Sequence, residues 1–426
     1  MKAIGIDIGT TSVCAVLIDV ESGKLIKSCT KNSDAFINTA NPWEKIQSVE
    51  KIMFVAMELV DDFIDADVKA IGVTGQMHGI VYTDKNGDAV SPLYIWQDGR
   101  GNLPYKDTTY AKYLNSFSGY GNVTDFYNRV NGIRPDDAVN YCTIHDYFVM
   151  KLCGLKSPVL HSSDASSFGL YDIKANKFMC DFNAEVVNDY AVAGEYKGIK
   201  VAVAIGDNQA SVFSTLADEE NILLNIGTGS QISVVSDNII EKENIETRPY
   251  FEGKYLIVGA ALCGGRAYSI LKNFYKEILS YIEDADDEKV YSVMGEMLKG
   301  ASHTTLKVDT RFDGTRTNPD LRGSIDAISI DNFRPGDFTL GVLNGMVTEL
   351  YDMYMLMDVT KSGIVGSGNG VRKNKALINA FEGRFDAKMK IPMHLEEAAF
   401  GASLFALISS GVFKNAKEAQ KLIKYN

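Results

Sequence analysis

The chain has 426 residues, of which 46% are hydrophobic and 23% charged, a balance typical of a folded globular protein rather than a disordered or fibrous one. Its length is enough for two or three domains. The formal net charge of −12 and the lack of a basic run argue against a nucleic acid or an anionic membrane as the main partner. A phosphate ligand remains compatible, because a few backbone amides and a metal ion can hold phosphate in an acidic protein.

The six cysteines and five histidines are scattered, with no CxxC pair, so we expect neither a disulfide framework nor a structural zinc site. Asp7 and Asp19 interrupt the first apolar stretch, which argues against a secretion signal. No uncharged apolar run reaches about 18 residues, the length that a membrane span needs. We therefore expect a cytoplasmic protein with no membrane partner.

Three strands in a meander are predicted at the amino end: Ala3–Gly9, Val13–Asp19 and Lys24–Cys29. The first two are joined by a tight Gly-Thr-Thr turn. A helix is predicted next, with Asn41 as its N-cap, Pro42 in the first turn, and apolar residues at three- and four-residue steps up to Ile64.

A further strand is predicted over Ala70–Val73, followed by the loop Thr74–Gly79. Glycine-rich loops are predicted around Gly264 and from Gly366 to Gly370. The acidic stretch Glu283–Glu288 predicts the start or flank of an exposed helix. The segment Glu396–Ser410 predicts a helix of small residues that Gly411 ends.

The chain contains an internal echo. GIDIGTTSVCAVLID, from Gly5, aligns with LLNIGTGSQISVVSD, from Leu223, and both read strand, Ile-Gly-Thr turn, strand. A coincidence between two common turns would explain it. Taken as a repeat, it predicts two similarly folded lobes with a boundary near 216–221.

Several common active-site motifs are absent from the sequence. There is no GxxxxGK[ST] loop, no GxGxxG after a strand, no GxSxG elbow and no HExxH pair. The chemistry must therefore come from other residues.

The first Gly-Thr turn carries Asp7 at the end of a strand, followed by Thr10, Thr11 and Ser12. Turn amides and hydroxyls suit phosphate oxygens, and a nearby carboxylate can hold Mg²⁺, usually through water. The alternative is an ordinary hairpin turn. The second turn, NIGTGS at 225–230, has the same features.

Asp207 is the acid best placed for catalysis. It follows the apolar run Val201–Ile205 and a glycine, and it precedes a small-residue helical stretch, a junction where ligands gather in α/β sheets. There it could take the proton of a sugar hydroxyl that attacks a γ-phosphate. The alternative is an aspartate that only caps the helix.

The segments TGQMHG and YIWQDGR combine apolar surfaces with many hydrogen-bonding groups, as a polyol site requires. Taken singly, His78 could be a structural histidine, Trp96 a core residue and Arg100 a member of an ion pair. The loop Gly366–Gly370 suits close packing against an adenine or ribose, or is a plain turn before a helix.

The order of these motifs resembles the FGGY family of carbohydrate kinases along nearly the whole chain: DIGTTS, GQMHG, WQDGR, GDNQAS, NIGTGS, GAALCGG, GSGNG. The resemblance implies an α/β protein with two ribonuclease-H-like lobes of the actin-like ATPase fold and an interlobe cleft where ATP and sugar meet. It assigns residues 1–218 to an amino-terminal lobe with the sugar site and catalytic base. It assigns residues 219–426 to a carboxy-terminal lobe with the nucleotide site.

The resemblance also implies roles for single residues. Asp207 would be the catalytic base and Asp7 would lie near Mg²⁺. The expected sugar-binding residues are Gln76, Met77, His78, Trp96, Asp98, Arg100 and Asn208. The expected ATP-binding residues are Thr10, Thr11, Ser12, Gly227, Thr228, Gly264, Gly265, Gly368 and Asn369.

Within the family, four segments resemble members that phosphorylate sedoheptulose: TIHDYFVMKLCGL, DASSFGLYD, WQDGR and RPYFEGKYLIVGAALCGG. The implied reaction converts sedoheptulose and ATP to sedoheptulose 7-phosphate, with D-xylulose or another ketose or polyol as the alternative acceptor. A more distant alternative is an actin-fold ATPase switch that is not a kinase. The oligomeric state is left open, a homodimer included.

Overall fold

Helices and mostly short strands make up the computed structural model, which describes residues 1–182, 184–282, 284–301, 303–315, 317–318 and 320–426. The helices are α1 (Val49–Phe63), α2 (Tyr110–Tyr113), α3 (Gly121–Val130), α4 (Ile144–Leu152), α5 (Ser162–Ser167), α6 (Asp207–Thr215), α7 (Gly264–Ser280), α8 (Asp287–Lys299), α9 (Pro335–Leu356), α10 (Asn369–Lys373), α11 (Lys375–Phe385), α12 (Glu397–Ser409) and α13 (Ala416–Gln420), with a 3₁₀ turn at Arg100–Asn102.

The strands are β1 (Lys2–Ile8), β2 (Ser12–Asp19), β3 (Leu25–Asn32), β4 (Ile46–Gln47), β5 (Val68–Gly75), β6 (Val81–Thr83), β7 (Leu93–Tyr94), β8 (Pro104–Tyr105), β9 (Thr108–Thr109), β10 (Asn140–Cys142), β11 (Val159–His161), β12 (Tyr171–Asp172), β13 (Lys177–Phe178), β14 (Glu185–Val187), β15 (Val192–Tyr196), β16 (Ile199–Ala202), β17 (Ile205–Gly206), β18 (Asn221–Ile226), β19 (Ser230–Ser236), β20 (Ile245–Pro249), β21 (Tyr255–Ala261), β22 (Lys307–Val308), β23 (Ile325–Asp326), β24 (Gly363–Ser367) and β25 (Met389–Lys390).

The first sheet has the strand order β15-β16-β5-β1-β2-β3, with β17 also paired to β5. Strands β1, β2 and β3 form an antiparallel meander, which confirms the prediction for the amino end. Strand β5 confirms the next predicted strand and runs parallel to β1, with Ile8 opposite Gly75. Because β1 and β5 are parallel, their carboxyl ends lie at the same edge of the sheet, and the loop after β5 begins beside the turn after β1.

The second sheet has the order β20-β21-β19-β18-β24-β25. Strands β18 and β19 form an antiparallel hairpin, and β18 is parallel to β24. The run β21-β19-β18-β24-β25 therefore repeats the order β3-β2-β1-β5-β16 of the first sheet. This shared order confirms the two similarly folded lobes that the sequence echo predicts.

Helix α1 begins later than predicted. Asn41 and Pro42 lie in a turn before it, and Ser48 is the N-cap, its side chain accepting from the Lys51 amide. The intervening Ile46 and Gln47 form β4, which pairs with β7. The prediction of an N-cap at Asn41 was wrong because this pairing joins residues almost fifty positions apart and leaves no local trace.

Helix α12 lies on the first sheet, although it comes near the end of the chain. A Cβ at Gly5 would approach the Ala399 carbonyl oxygen to 1.8 Å, and one at Gly72 would approach the Ala402 oxygen to 1.9 Å. The helix backbone therefore rests directly on glycines of β1 and β5, which explains why its sequence is rich in small residues. Its start at Glu397 and its end before Gly411 agree with the prediction.

The packing groups residues 1–217 with 248–255 and 394–424, and groups 218–247 with 256–393 and 425–426. We call these groups the first unit and the second unit. They differ from a single boundary at residue 218, because α12 packs on β1 and β5 rather than on the sheet of its neighbours in sequence. The predicted assignment of functions to 1–218 and 219–426 stays a prediction.

Two smaller expectations concern surface features. Helix α8 begins at Asp287 with Asp286 as its N-cap, in line with the predicted helix after the acidic stretch, although Glu283 lies outside the described residues. Of the helices in the described part of the chain, none combines the length and the apolar character needed to cross a membrane.

Candidate active site

Asp207 is the first residue of α6, and Gly206 rather than Asp207 is the N-cap. The Gly206 amide donates to Ser163 Oγ at 3.0 Å, and Ser163 Oγ contacts His161 Nδ1 at 2.9 Å. Ser163 and His161 are fully buried or nearly so. The backbone that carries the Asp207 carboxyl is therefore held from behind by a buried chain of hydrogen bonds.

Asp7 interacts electrostatically with two other carboxylates of the first unit, Asp207 at the start of α6 and Glu396. Burial, together with the nearby charges of Asp207 and Glu396, raises the pKa of Asp7 to about 7. Burial also raises the pKa of Asp207, while His145, Arg248 and the Asn208 amide oppose that rise. The two predicted acids, Asp7 and Asp207, are thus brought together by strands and helices distant in sequence.

The charges of Asp207 and Glu396 both act on Asp7, although these three acids are not among the described side chains whose ligand atoms all lie within 4.8 Å of one another. Like-charged carboxylates in a poorly hydrated place repel each other, and a bound cation relieves that repulsion. The position of Asp7 near Mg²⁺ stays a prediction, and no motif in the sequence pointed to its neighbour Glu396. Glu396 is the residue just before α12, so only the packing of α12 on the first sheet brings it here.

A second buried polar group lies behind Asp207. His145 Nε2 is 3.0 Å from Asp164 Oδ1, and both side chains are fully buried. Ligand atoms of His145, Asp146 and Asp164 lie within 4.8 Å of one another. Burial raises the pKa of Asp146 to about 8, and burial also raises the pKa of Asp164 well above its usual value.

The loop after β5 carries three of the predicted sugar-binding residues. Gln76 and Met77 are buried, and Met77 packs against Gly206, where a Cβ would lie 2.6 Å from Met77 Cε. His78 has a φ of 73°, its amide donates to Ser167 Oγ at 3.1 Å, and its Nδ1 lies 2.8 Å from the Ser167 carbonyl oxygen. These contacts hold the His78 ring in one orientation.

The His78 ring stacks on Tyr120, with ring centroids 4.3 Å apart and an interplanar angle of 9°. No motif in the sequence pointed to Tyr120. Burial lowers the pKa of the Arg248 guanidinium and the nearby Tyr120 opposes that fall, so Tyr120 lies close to both the His78 ring and Arg248.

Trp96 joins the predicted sugar-binding and phosphate-binding residues. It is 46% exposed, and its Nε1 donates to Thr10 Oγ1 at 3.0 Å. Thr10 Oγ1 in turn donates to Gln76 Oε1 at 3.3 Å, and Gln47 Nε2 donates to the Thr10 carbonyl at 2.6 Å. Trp96 is therefore an exposed residue fixed by its indole nitrogen, and not the core residue that was its alternative.

The rest of the first turn is ordered by its backbone. The Gly9 amide donates to the Ser12 carbonyl at 3.0 Å, and the Thr11 carbonyl accepts from the Ser33 amide at 3.0 Å. The Thr11 side chain is exposed.

Asp98 and Arg100 are each 1% exposed and form an ion pair in which Arg100 Nε is 2.6 Å from Asp98 Oδ1. Asp98 also accepts from the Lys45 amide at 2.9 Å, and Arg100 donates to Asn128 Oδ1 at 2.5 Å. These contacts support the ion-pair alternative for Arg100. Contact of either side chain with a sugar stays a prediction.

Asn208 lies beside Asp207 at the start of α6, and its Oδ1 accepts from Arg248 Nη1 at 3.0 Å. Arg248 belongs to the short segment 248–255 that packs with the first unit. The sequence drew attention to this segment only through RPYFEGKY. The role of Arg248 depends on how β20 ends, which sequence patterns do not reveal.

The second unit brings the other Gly-Thr turn against the start of α7. The Gly265 amide donates to the Gly227 carbonyl at 3.1 Å, and the Arg266 amide donates to the Thr228 carbonyl at 3.0 Å. A Cβ at Gly264 would lie 2.3 Å from Ser230 Oγ. The predicted glycines are therefore needed for the close approach of this helix to the turn.

Gly368 and Asn369 follow β24 at the same edge of the second sheet. Gly368 has a φ of 82°, and a Cβ there would lie 2.6 Å from the Ile226 carbonyl oxygen. Gly227, Thr228, Gly265, Gly368 and Asn369 all line one cavity of about 1480 Å³ within the second unit. Arg266, Lys373, Tyr268 and Tyr291 also line it, so the cavity offers both cationic and aromatic side chains.

Comparisons with known proteins agree with this geometry. Residues 2–110 match the N-terminal domain of the FGGY family of carbohydrate kinases. Mouse sedoheptulokinase is 29% identical over 95% of this chain and 97% of its own length, and a xylulose kinase of Staphylococcus epidermidis is 22% identical over 96% and 88%. The xylulose kinase structure from Rhodospirillum rubrum superimposes with a TM-score of 0.87 at 16% identity, covering 100% of this chain and 93% of that one, so the fold is shared. Residues 2–110 therefore form an FGGY carbohydrate kinase N-terminal domain, and the similarity to sugar kinases along nearly the whole chain supports a sugar-phosphorylating enzyme.

Proposed function

We propose that the protein transfers the γ-phosphate of ATP to the terminal hydroxyl of a ketose, with sedoheptulose as the acceptor and sedoheptulose 7-phosphate as the product. Asp207 takes the proton of the attacking hydroxyl, and Asp7 holds Mg²⁺. The metal supplies charge neutralisation for the phosphates. The first unit carries the acceptor site and the second unit carries the nucleotide site.

The observation that carries this proposal is the position of Asp207. Its backbone is fixed through the Gly206 amide, its carboxyl lies near Asp7, and Met77 packs directly on Gly206. A carboxylate whose pKa is raised by burial is a better base toward an alcohol than a fully hydrated one. Phosphoryl transfer needs positioning more than covalent chemistry, and such a fixed base supplies positioning.

The choice of sedoheptulose is supported by the full-length similarity to the mouse and human sedoheptulokinases, at 29% and 28% identity. Xylulose is the second candidate, because xylulose kinases are among the more distant relatives and the similar solved structures. An ATPase switch of the actin fold that binds no sugar would give no role to the polar side chains of His78, Tyr120, Asn208 and Arg248.

The test is ADP release in a coupled assay with sedoheptulose, xylulose, ribulose, fructose and glycerol offered in turn. We expect the highest kcat/KM with sedoheptulose. A preference for glycerol would contradict the ketose assignment. ATP hydrolysis that ignores every sugar would favour the switch.

The base is tested by Asp207→Asn, which keeps the shape and removes the charge. We expect kcat to fall by about 10²–10⁴-fold, the usual cost of losing a general base. Ketose affinity, measured by calorimetry without nucleotide, should stay within a few-fold. A kcat equal to that of the unmodified protein would remove Asp207 from the reaction.

A further inference from the structure

A buried polar cluster lies at the first turns of α4 and α5, made by His145, Asp146 and Asp164. These side chains are 0%, 2% and 0% exposed. One ligand atom from each lies within 4.8 Å of the ligand atoms of the other two. His145 Nε2 and Asp164 Oδ1, 3.0 Å apart, already connect the two helices. The cluster belongs to the first unit and contains none of the residues predicted to bind sugar, ATP or Mg²⁺.

Each of the three side chains has one polar atom without a hydrogen-bond partner among the described residues: His145 Nδ1, Asp146 Oδ1 and Asp164 Oδ2. The other carboxyl oxygen of Asp146 contacts Thr143 Oγ1 at 2.6 Å, which holds this side chain in one orientation. A buried polar atom that lacks a partner costs free energy. Three such atoms on three neighbouring side chains indicate that the cluster takes a further partner.

The charges of the cluster favour a cation as that partner. Burial raises the pKa of Asp146 and of Asp164, and the two acids stand close enough for Asp164 to raise the pKa of Asp146 further. Burial lowers the pKa of His145, which keeps the imidazole neutral with a lone pair on one nitrogen. A dication would cancel the charge of the two carboxylates and accept that lone pair.

The spacing and the atom types select the kind of cation. Ligand atoms about 2.1 Å from one ion are at most about 4.2 Å apart, so separations within 4.8 Å need to shrink by no more than about 0.6 Å. An imidazole beside two carboxylates suits Zn²⁺ or Mn²⁺. Mg²⁺ fits less well, because it retains several waters and these side chains are closed to solvent.

We propose that His145, Asp146 and Asp164 bind a transition-metal dication of the Zn²⁺ or Mn²⁺ type, in a structural site that joins α4 to α5. The site is separate from the Mg²⁺ predicted near Asp7 and does not depend on the proposed function. It departs from the expectation that scattered histidines exclude a structural zinc site, because a single histidine here meets two acids, one of them 19 residues away. The ion would also brace the helix whose Ser163 holds the Gly206 amide.

The experiment measures the metal content of the full-length protein without a histidine tag. The protein is produced in medium that contains Zn²⁺ and Mn²⁺, because a buried ion enters as the chain folds, and is then passed over a chelating resin. Mass spectrometry of the elements should find one of these ions retained per chain. Asp146→Asn and Asp164→Asn keep the side-chain shape and remove a charge, and each should lower the retained metal by about tenfold or more.

Two control variants separate this site from other metal-binding groups. His303→Asn removes an imidazole from an exposed position, and Asp7→Asn removes the acid predicted near Mg²⁺. Both should retain the ion as the unmodified protein does. Melting curves of every variant verify folding.

X-ray absorption of the metal-loaded unmodified protein tests the proposal even where a variant does not fold. We expect one imidazole nitrogen among oxygen ligands. Sulfur or several imidazoles around the ion, an unmodified protein that retains neither Zn²⁺ nor Mn²⁺, or full retention by a folded Asp164→Asn variant would each overturn the site. None of these results touches the proposed kinase activity, because the measurements use neither sugar nor ATP.

Discussion

Thr10 is the residue through which the predicted sugar-binding and phosphate-binding groups share hydrogen bonds. Its hydroxyl accepts from Trp96 Nε1 and donates to Gln76 Oε1. A hydroxyl with one donor and one acceptor partner has a fixed direction, so the first Gly-Thr turn is held in place by residues that come from other loops. A substitution at Trp96 should therefore affect both sugar binding and ATP binding.

Replacing Trp96 by Phe keeps an aromatic surface and removes the indole donor. We expect the KM for ketose and the KM for ATP each to rise by about 2- to 10-fold, the range that one neutral hydrogen bond is worth. Initial-rate measurements with each substrate varied in turn provide both values. A change confined to the ketose KM would mean that Thr10 does not couple the two groups.

His161 is fully buried and supports the start of α6 through Ser163, and burial lowers its pKa to about 3. In the unfolded chain the ring takes up a proton near pH 6.5, whereas in the folded chain it stays neutral down to about pH 3. The unfolded state therefore binds more protons over this interval. Stability is fully present above pH 6.5 and is lost as the pH falls.

The expected loss from His161 alone is about 2 kcal/mol of unfolding free energy between pH 6.5 and pH 5. Urea unfolding at these two pH values measures it. His161→Asn, which cannot take up the proton, should show a flatter dependence, and His303→Asn, at an exposed position, should keep the slope of the unmodified protein. Equal slopes for His161→Asn and the unmodified protein would contradict the assignment.

Among the elements, those with local signals were predictable from the sequence. The β1–β2 hairpin, β5 and the end of α12 follow from apolar runs and from glycine at turns, which act within a few residues. The start of α1 was not predictable, because β4 pairs with β7 from far along the chain. For the same reason the sequence pointed to Asp7 and Asp207 but not to Glu396 and Arg248, whose places depend on α12 and on the end of β20.

The contact between α12 and the first sheet depends on glycine in β1. In Gly5→Ala the new Cβ would lie 1.8 Å from the Ala399 carbonyl oxygen, and neither backbone can yield without parting the helix from the sheet. We expect a loss of about 3 kcal/mol or more in unfolding free energy, as for severe overpacking of a core. Thermal and urea unfolding measure it.

Gly383→Ala is the matched comparison, because a Cβ there meets no atom within 4 Å and the residue lies inside α11. That change should stabilise the protein by about 0.5–1 kcal/mol, the usual helix preference for alanine over glycine. A Gly5→Ala variant as stable as Gly383→Ala would show that α12 does not rest on β1 as described.

In the whole molecule, segments that are neighbours in the sequence do not always pack in the same unit. The first unit is completed by two later segments: 248–255, which interrupts the second unit, and 394–424, which follows nearly all of it in sequence. The repeat of strand order was predictable from the Ile-Gly-Thr echo, since both copies keep the same local turn. The packing of 394–424 with the first unit was not predictable from the sequence. A helix of small residues can pack on many sheets, and the glycines that α12 contacts lie far away in sequence, in β1 and β5.

This interlacing predicts how fragments behave. Residues 1–217 alone lack α12, so one face of the first sheet, including the backbone at Gly5 and Gly72, would be exposed to water. An uncovered apolar sheet face promotes aggregation. We expect this fragment to be insoluble or to unfold without a cooperative transition.

Joining residues 394–424 to residue 217 through a flexible Gly/Ser linker of about 20 residues should restore the helix to the sheet. The Gln420 side chain donates to the Leu216 carbonyl at 2.8 Å, so the added segment can form this hydrogen bond with the end of the fragment. Size-exclusion chromatography and urea unfolding compare the two proteins, and the same fusion carrying Gly5→Ala should again fail to fold. Cooperative unfolding of residues 1–217 without the added helix would show that these residues fold by themselves and that the first unit does not need α12 for its stability.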